Sequence, residues 1–83
     1  MNAAQVLKKF AQERLTQGFP IWPSEIIGLF GADLVAAHEQ AGTAVAEGLA
    51  EGWLECCMES RMTELTGVYN TVTYYLFVER QDV

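Results

Sequence analysis

Leu49-Ala50-Glu51-Gly52-Trp53-Leu54-Glu55 is where this chain changes its hydrophobic period. Before Gly52 the apolar residues recur at three and four positions; beyond it they alternate. A glycine at such a junction ends a helix in the left-handed conformation, and a strand begins after it. Upstream, Ala32 to Glu51 reads as one helix with Leu34, Ala37/His38, Ala41, Val45 and Leu49 as its core stripe. Gly42 and Gly48 each cost about 1 kcal/mol relative to alanine inside a helix, so a break near Gly42 is the alternative reading. Downstream, Trp53–Glu64 and Val68–Glu79 both alternate, and Thr66-Gly67 lies between them as a turn. The two runs match in length and predict a long antiparallel hairpin with its turn at Leu65–Val68. The alternation is expected to send Leu54, Met58, Val72, Tyr74 and Leu76 toward the helices. Trp53, Tyr69, Tyr75 and Phe77 would then lie on the outer face, with Thr71 and Thr73 between them.

The first part of the chain supplies two more helices. Ala3, Val6, Leu7, Phe10, Ala11 and Arg14/Leu15 form one stripe, so residues 3–17 read as a helix that Gly18 closes. Pro20 and Pro23 forbid continuous helix through the connector, where Ile21 and Trp22 turn inward as a very short strand. Pro23-Ser24-Glu25-Ile26 opens a second, short helix ending near Phe30-Gly31. Proline suits the first turn, Ser24 is a candidate cap, and Glu25 favours the positive helix end. The expected architecture is α+β: one domain over residues 1–83, with three helices followed by a long antiparallel β-hairpin. Arg80–Val83 reads as a frayed tail.

Charge narrows the function. The chain has 83 residues, 51% of them apolar, and a net charge of −6. No Lys or Arg lies between Arg14 and Arg61, a span that carries Glu25, Asp33, Glu39, Glu47, Glu51, Glu55 and Glu59. Affinity for a nucleic acid or an anionic membrane comes largely from cations, so both are disfavoured as partners. A homodimer is one way to cover the surplus apolar surface of so short a chain. Cys56 and Cys57 are neighbours on a strand and point to opposite faces, which disfavours a mutual disulfide. Together with the distant His38 they lack zinc-ligand spacing. Free thiols suit a reducing cytoplasm. Lys8 and Lys9 interrupt the apolar positions of the first residues, unlike a signal peptide. No apolar run approaches the roughly 18 residues that span a bilayer. A Cys57–His38 catalytic pair lacks a third, orienting group. Glu47, Glu51 and Glu55, at helical spacing, lack the turn and further ligand of a divalent-metal site. No cofactor or metal is expected, and the chain reads as a non-enzyme.

The order of elements, the Leu49–Glu55 junction and the Pro23–Ile26 helix start together resemble the winged helix-turn-helix superfamily over roughly residues 3–79. That resemblance implies a third helix lying in the DNA major groove and a hairpin serving as the wing. The outward positions of this third helix are Ala36, Glu39, Gln40, Thr43, Ala46, Glu47 and Ala50. Glu39 and Glu47 would meet phosphates with no compensating cation. The expected function is therefore a small acidic protein–protein interaction module that meets a partner with a basic surface. In size and charge it is similar to the accessory proteins of phages and mobile elements that inhibit or adapt host nucleic-acid-handling proteins. The expected partner-binding residues are Glu39, Thr43 and Glu47 on the helix, and Trp53, Tyr69, Tyr75 and Phe77 on the hairpin. The alternative is a dimeric winged-helix transcriptional regulator that touches DNA through Lys8, Lys9, Arg14 and Arg61.

Overall fold

The structure is a computed structural model that describes residues 1–79, so the expected tail at residues 80–83 lies outside the described residues. Helix α1 spans Ala3–Gln17. Asn2 and Gln5 cap its start reciprocally, each backbone N–H donating to the other's side chain at 2.9 Å. Gly18 ends it at φ 76°, in the left-handed region. The connector then delivers Ile21 beside the hairpin, where Ile21 and Tyr75 exchange backbone hydrogen bonds of 2.9 and 2.8 Å. Helix α2 spans Pro23–Gly28 with Pro23 in its first turn. Its N-cap is Trp22, two positions before Ser24, the expected cap. The Trp22 N–H donates to a Glu25 carboxylate oxygen at 3.2 Å, and the other Glu25 oxygen is ion-paired with Arg14. One carboxylate thus closes the helix start and ties it to α1.

Helix α3 spans Leu34–Glu51 and runs unbroken through Gly42, with Asp33 capping the N–H groups of Val35 and Ala36. Its buried residues are Ala37, Ala41, Ala44 and Gly48. This corrects the expected stripe: Leu34 is exposed and Leu49 retains 43% of its surface. On a helical wheel the buried face is rotated by about 60° from the stripe of large residues. The reason is Trp53, whose ring folds back over the last turn of α3. A methyl group on Gly48 would stand 2.9 Å from Trp53 Cη2 and 3.0 Å from Leu54 Cβ. Only the small side of α3 leaves room for the indole, and the same side meets Ala4, Leu7 and Ala11 of α1 in the core.

The two glycines inside α3 should therefore respond to alanine with opposite signs. Gly42 has open space where its Cβ would go. Gly42→Ala is expected to raise stability by about 0.5–1 kcal/mol through helix propensity. Gly48→Ala gains the same propensity but overpacks at about 1–3 kcal/mol, so the net effect is a loss. Urea midpoints of the two variants check this; equal shifts would remove the indole from Gly48.

Strands β1 (Leu54–Met62) and β2 (Tyr69–Phe77) pair antiparallel from Leu54↔Phe77 to Met62↔Tyr69. Directly opposed residues share a face, so each even residue of β1 lies with an odd residue of β2. The helix-facing set expected from the alternation is thereby split. Leu54 and Met58 share a face with Tyr75 and Phe77; Val72, Tyr74 and Leu76 share the other with Cys57. The turn sets this parity: Thr63 N–H donates to Val68 at 2.9 Å, Gly67 N–H donates to Thr63 at 2.8 Å, and Gly67 takes φ 68°. Leu54, Tyr75 and Phe77 pack on the core, whereas Met58, where the hairpin runs out past the helices, is 74% exposed. The opposite face is covered near its base by the connector, with Trp22 edge-on to Tyr74 at 5.9 Å between ring centres.

Candidate protein-interaction surface

Glu39, Thr43 and Glu47 all stand exposed on α3, four residues apart, and so form one row along the helix. The Thr43 hydroxyl donates to the Glu39 carbonyl at 3.0 Å, which turns the row's centre toward its own backbone. Glu47 sits at the seam with α1, in a shallow hollow shared with Gln5, Lys8, Glu51 and Trp53. In that hollow the Lys8 ammonium lies 5.9 Å from the Trp53 ring centre, and the indole N–H donates to Glu51 at 2.8 Å. The two arginines among the described residues are paired with carboxylates. Arg14 pairs with Glu25 and lies 5.0 Å from the Phe10 ring centre. Arg61 pairs with Glu59 at 3.3 Å.

The four hairpin aromatics do not form one patch. Trp53 is 5% exposed and Tyr75 and Phe77 pack against the core; the Trp53 and Phe77 rings lie 6.4 Å apart. Tyr69 is exposed, at the far end of the hairpin beside the turn. The change follows from the register: the odd residues of β2 are its core-facing set, and Trp53 is held by Gly48.

The sequence reading missed an apolar groove of about 330 Å³ between α2 and α3. Pro23, Ile27, His38, Val45, Leu49 and Tyr75 help line it. Its signal was present, because the apolar arc of α3 is wider than one buried stripe requires. Of the expected core stripe, His38, Val45 and Leu49 line this groove, and Val45 also packs against the core. Glu39 adjoins it, next to His38 in sequence and three residues before Gly42, which also lines it.

His38 places Nδ1 2.6 Å from the Leu34 carbonyl. Cys57 lies on the sheet face opposite Tyr75, whereas His38 and Tyr75 line one groove. Desolvation, then the charges of Glu55 and Cys56, hold the Cys57 thiol above its usual range, although a hydrogen bond with Tyr74 opposes the shift. A thiol so placed stays protonated at neutral pH and is a weak nucleophile. Among the described residues, no group of three His, Cys, Asp or Glu could hold a metal ion, and no helix is long and apolar enough to cross a membrane.

No protein-family model, characterised protein or solved structure matches this chain.

Proposed function

We propose that the chain is a small acidic protein–protein interaction module that works without catalysis and docks the exposed face of α3 on a protein with a basic surface. The observation that carries this reading is the division of charge. Glu39 and Glu47 are exposed on a rigid helix, while Arg14 and Arg61 are paired with carboxylates and Lys8 lies over an indole. A surface of this kind repels phosphates and attracts the basic groove of a nucleic-acid-handling protein. Inhibition or adaptation of such a protein, as by phage and mobile-element accessory proteins, is the role it fits. The winged-helix resemblance is supported by the element order and by Ile21 lying against β2 between α1 and α2.

The test begins with affinity capture from the native cytoplasm and identification of the partner by mass spectrometry. Glu39→Lys combined with Glu47→Lys is then expected to weaken that complex roughly tenfold, mainly by slowing association. Unchanged binding would move the contact to the α2–α3 groove or to Tyr69. Fluorescence anisotropy with random duplex DNA at physiological salt should show no binding, because the cations left uncommitted are too few to resist screening. Submicromolar DNA affinity would restore the dimeric regulator reading.

A further inference from the structure

Among the described residues the outer edge of β1 has no strand partner. In an antiparallel ladder, alternate residues bond to the partner strand and the others point their N–H and C=O groups away. The bonds Thr63 N–H to Val68 and Val78 N–H to Trp53, at 2.9 and 2.8 Å, make the odd residues of β1 the ones bonded to β2. Cys56, Met58, Ser60 and Met62 therefore aim their backbone groups outward. Among the described residues the sheet has the order β1-β2, and the added bridge from Ile21 lies on β2, so nothing covers this edge of β1. Folded proteins usually protect such an edge with proline, charged side chains (lysine above all) or a bulge; the charges on this run are Glu59 and Arg61, of opposite sign. The run Cys56–Met62 has no proline and no lysine, and its register with β2 is uninterrupted.

We propose that β1 pairs antiparallel with β1 of a second copy, about a two-fold axis at Ser60, joining two hairpins into one four-stranded sheet. Charge selects that register. With Ser60 opposite itself, Glu59 of each copy faces Arg61 of the other, twice per dimer. Moving the axis one residue toward the N-terminus sets Glu59 against Glu59; moving it one residue the other way sets Arg61 against Arg61. Like charges directly opposed destabilise a sheet. An axis at Met58 would oppose Glu55 to Arg61, but it also sets Met62 opposite Leu54, which is 3% exposed and already covered by the core. The axis at Ser60 avoids the covered base. It brings Met58 of each copy against Met62 of the other, and these side chains are 74% and 55% exposed in the single chain. The shared face is the one that packs on the helices. The net charge of −6 opposes association, so the dimer is weak.

Sedimentation equilibrium from about 1 μM to 1 mM covers the range such a contact would occupy. The unmodified chain is expected to pass from monomer to dimer in that range. Arg61→Glu should weaken the dimer about tenfold, and Glu59→Arg combined with Arg61→Glu should restore it. Both positions are exposed, and circular dichroism confirms that each variant is folded. The register has its own probe. In a Cys56→Ser, Cys57→Ser background, Ser60→Cys should form an intermolecular disulfide under mild oxidation. The Cα atoms of a hydrogen-bonded pair lie about 5.5 Å apart, within disulfide reach. Met58→Cys in the same background should not cross-link. A chain that stays monomeric to the highest concentration, or a dimer indifferent to Arg61→Glu, overturns the proposal. Cross-linking at Met58 in place of Ser60 overturns the register.

Discussion

Trp53→Ala is expected to destabilise the fold by about 3–5 kcal/mol, the range for removing a large buried aromatic side chain. The indole is 5% exposed and closes the core where α3 turns into β1. One side meets Gly48, a residue with no side chain to move into a void. The Phe77 ring lies 6.4 Å away and the indole N–H is bound by Glu51. Truncation leaves a cavity at the one point of α3 that cannot refill it, so most of the transfer and cavity penalty should be felt. A chain of 83 residues has a total stability of only about 4–12 kcal/mol. Trp53→Phe, which keeps an aromatic ring, supplies a milder second variant. Urea unfolding followed by circular dichroism measures both, and Trp22 remains as a fluorescent reporter. Trp53→Ala combined with Gly48→Leu should recover part of the loss, because the new side chain can enter the vacated space. A loss under about 1 kcal/mol for Trp53→Ala would place the ring outside the core.

The elements themselves were legible in the residues. Gly18, Pro23 and Gly52 are punctuation whose backbone meaning does not depend on distant contacts, and each ends or starts the helix expected of it. Face assignments were less legible, for two separate reasons. In α3 the large residues were assigned to the core, but the helix packs beside an indole, which favours alanine and glycine at the contact. In the hairpin, period-two alternation places residues on one of two faces but does not say which face of β1 joins which face of β2. That parity is set by the closure from Thr63 to Val68. Near the base both faces are covered, so Tyr74 and Tyr75 are each half-buried and polarity cannot separate them. The candidate surface divides in the same way. Glu39, Thr43 and Glu47 are exposed as expected, because polar residues opposite an apolar arc reach solvent under either rotation of α3. Trp53, Tyr75 and Phe77 were misplaced because their position rested on the register.

The rotation of α3 has a direct consequence for two leucines. Leu7 of α1 is fully buried in the core, and Leu7→Ala should cost about 2–5 kcal/mol. The spacing of Leu49 predicts an interior position, which would give Leu49→Ala a loss of the same size. At 43% exposure on the groove between α2 and α3, it has much less apolar surface to lose. Leu49→Ala should therefore cost under about 1 kcal/mol, in line with partly exposed positions. Equilibrium unfolding of the two variants side by side measures the difference, and equal losses would return Leu49 to the core. The same substitution reads the groove. A partner that seats an apolar side chain between α2 and α3 would lose affinity with Leu49→Ala while the fold stays intact. A partner held by the acidic row would be indifferent to it and would respond to Glu39→Lys with Glu47→Lys. Because Leu49 contributes little to stability, its effect on binding is not confounded by unfolding.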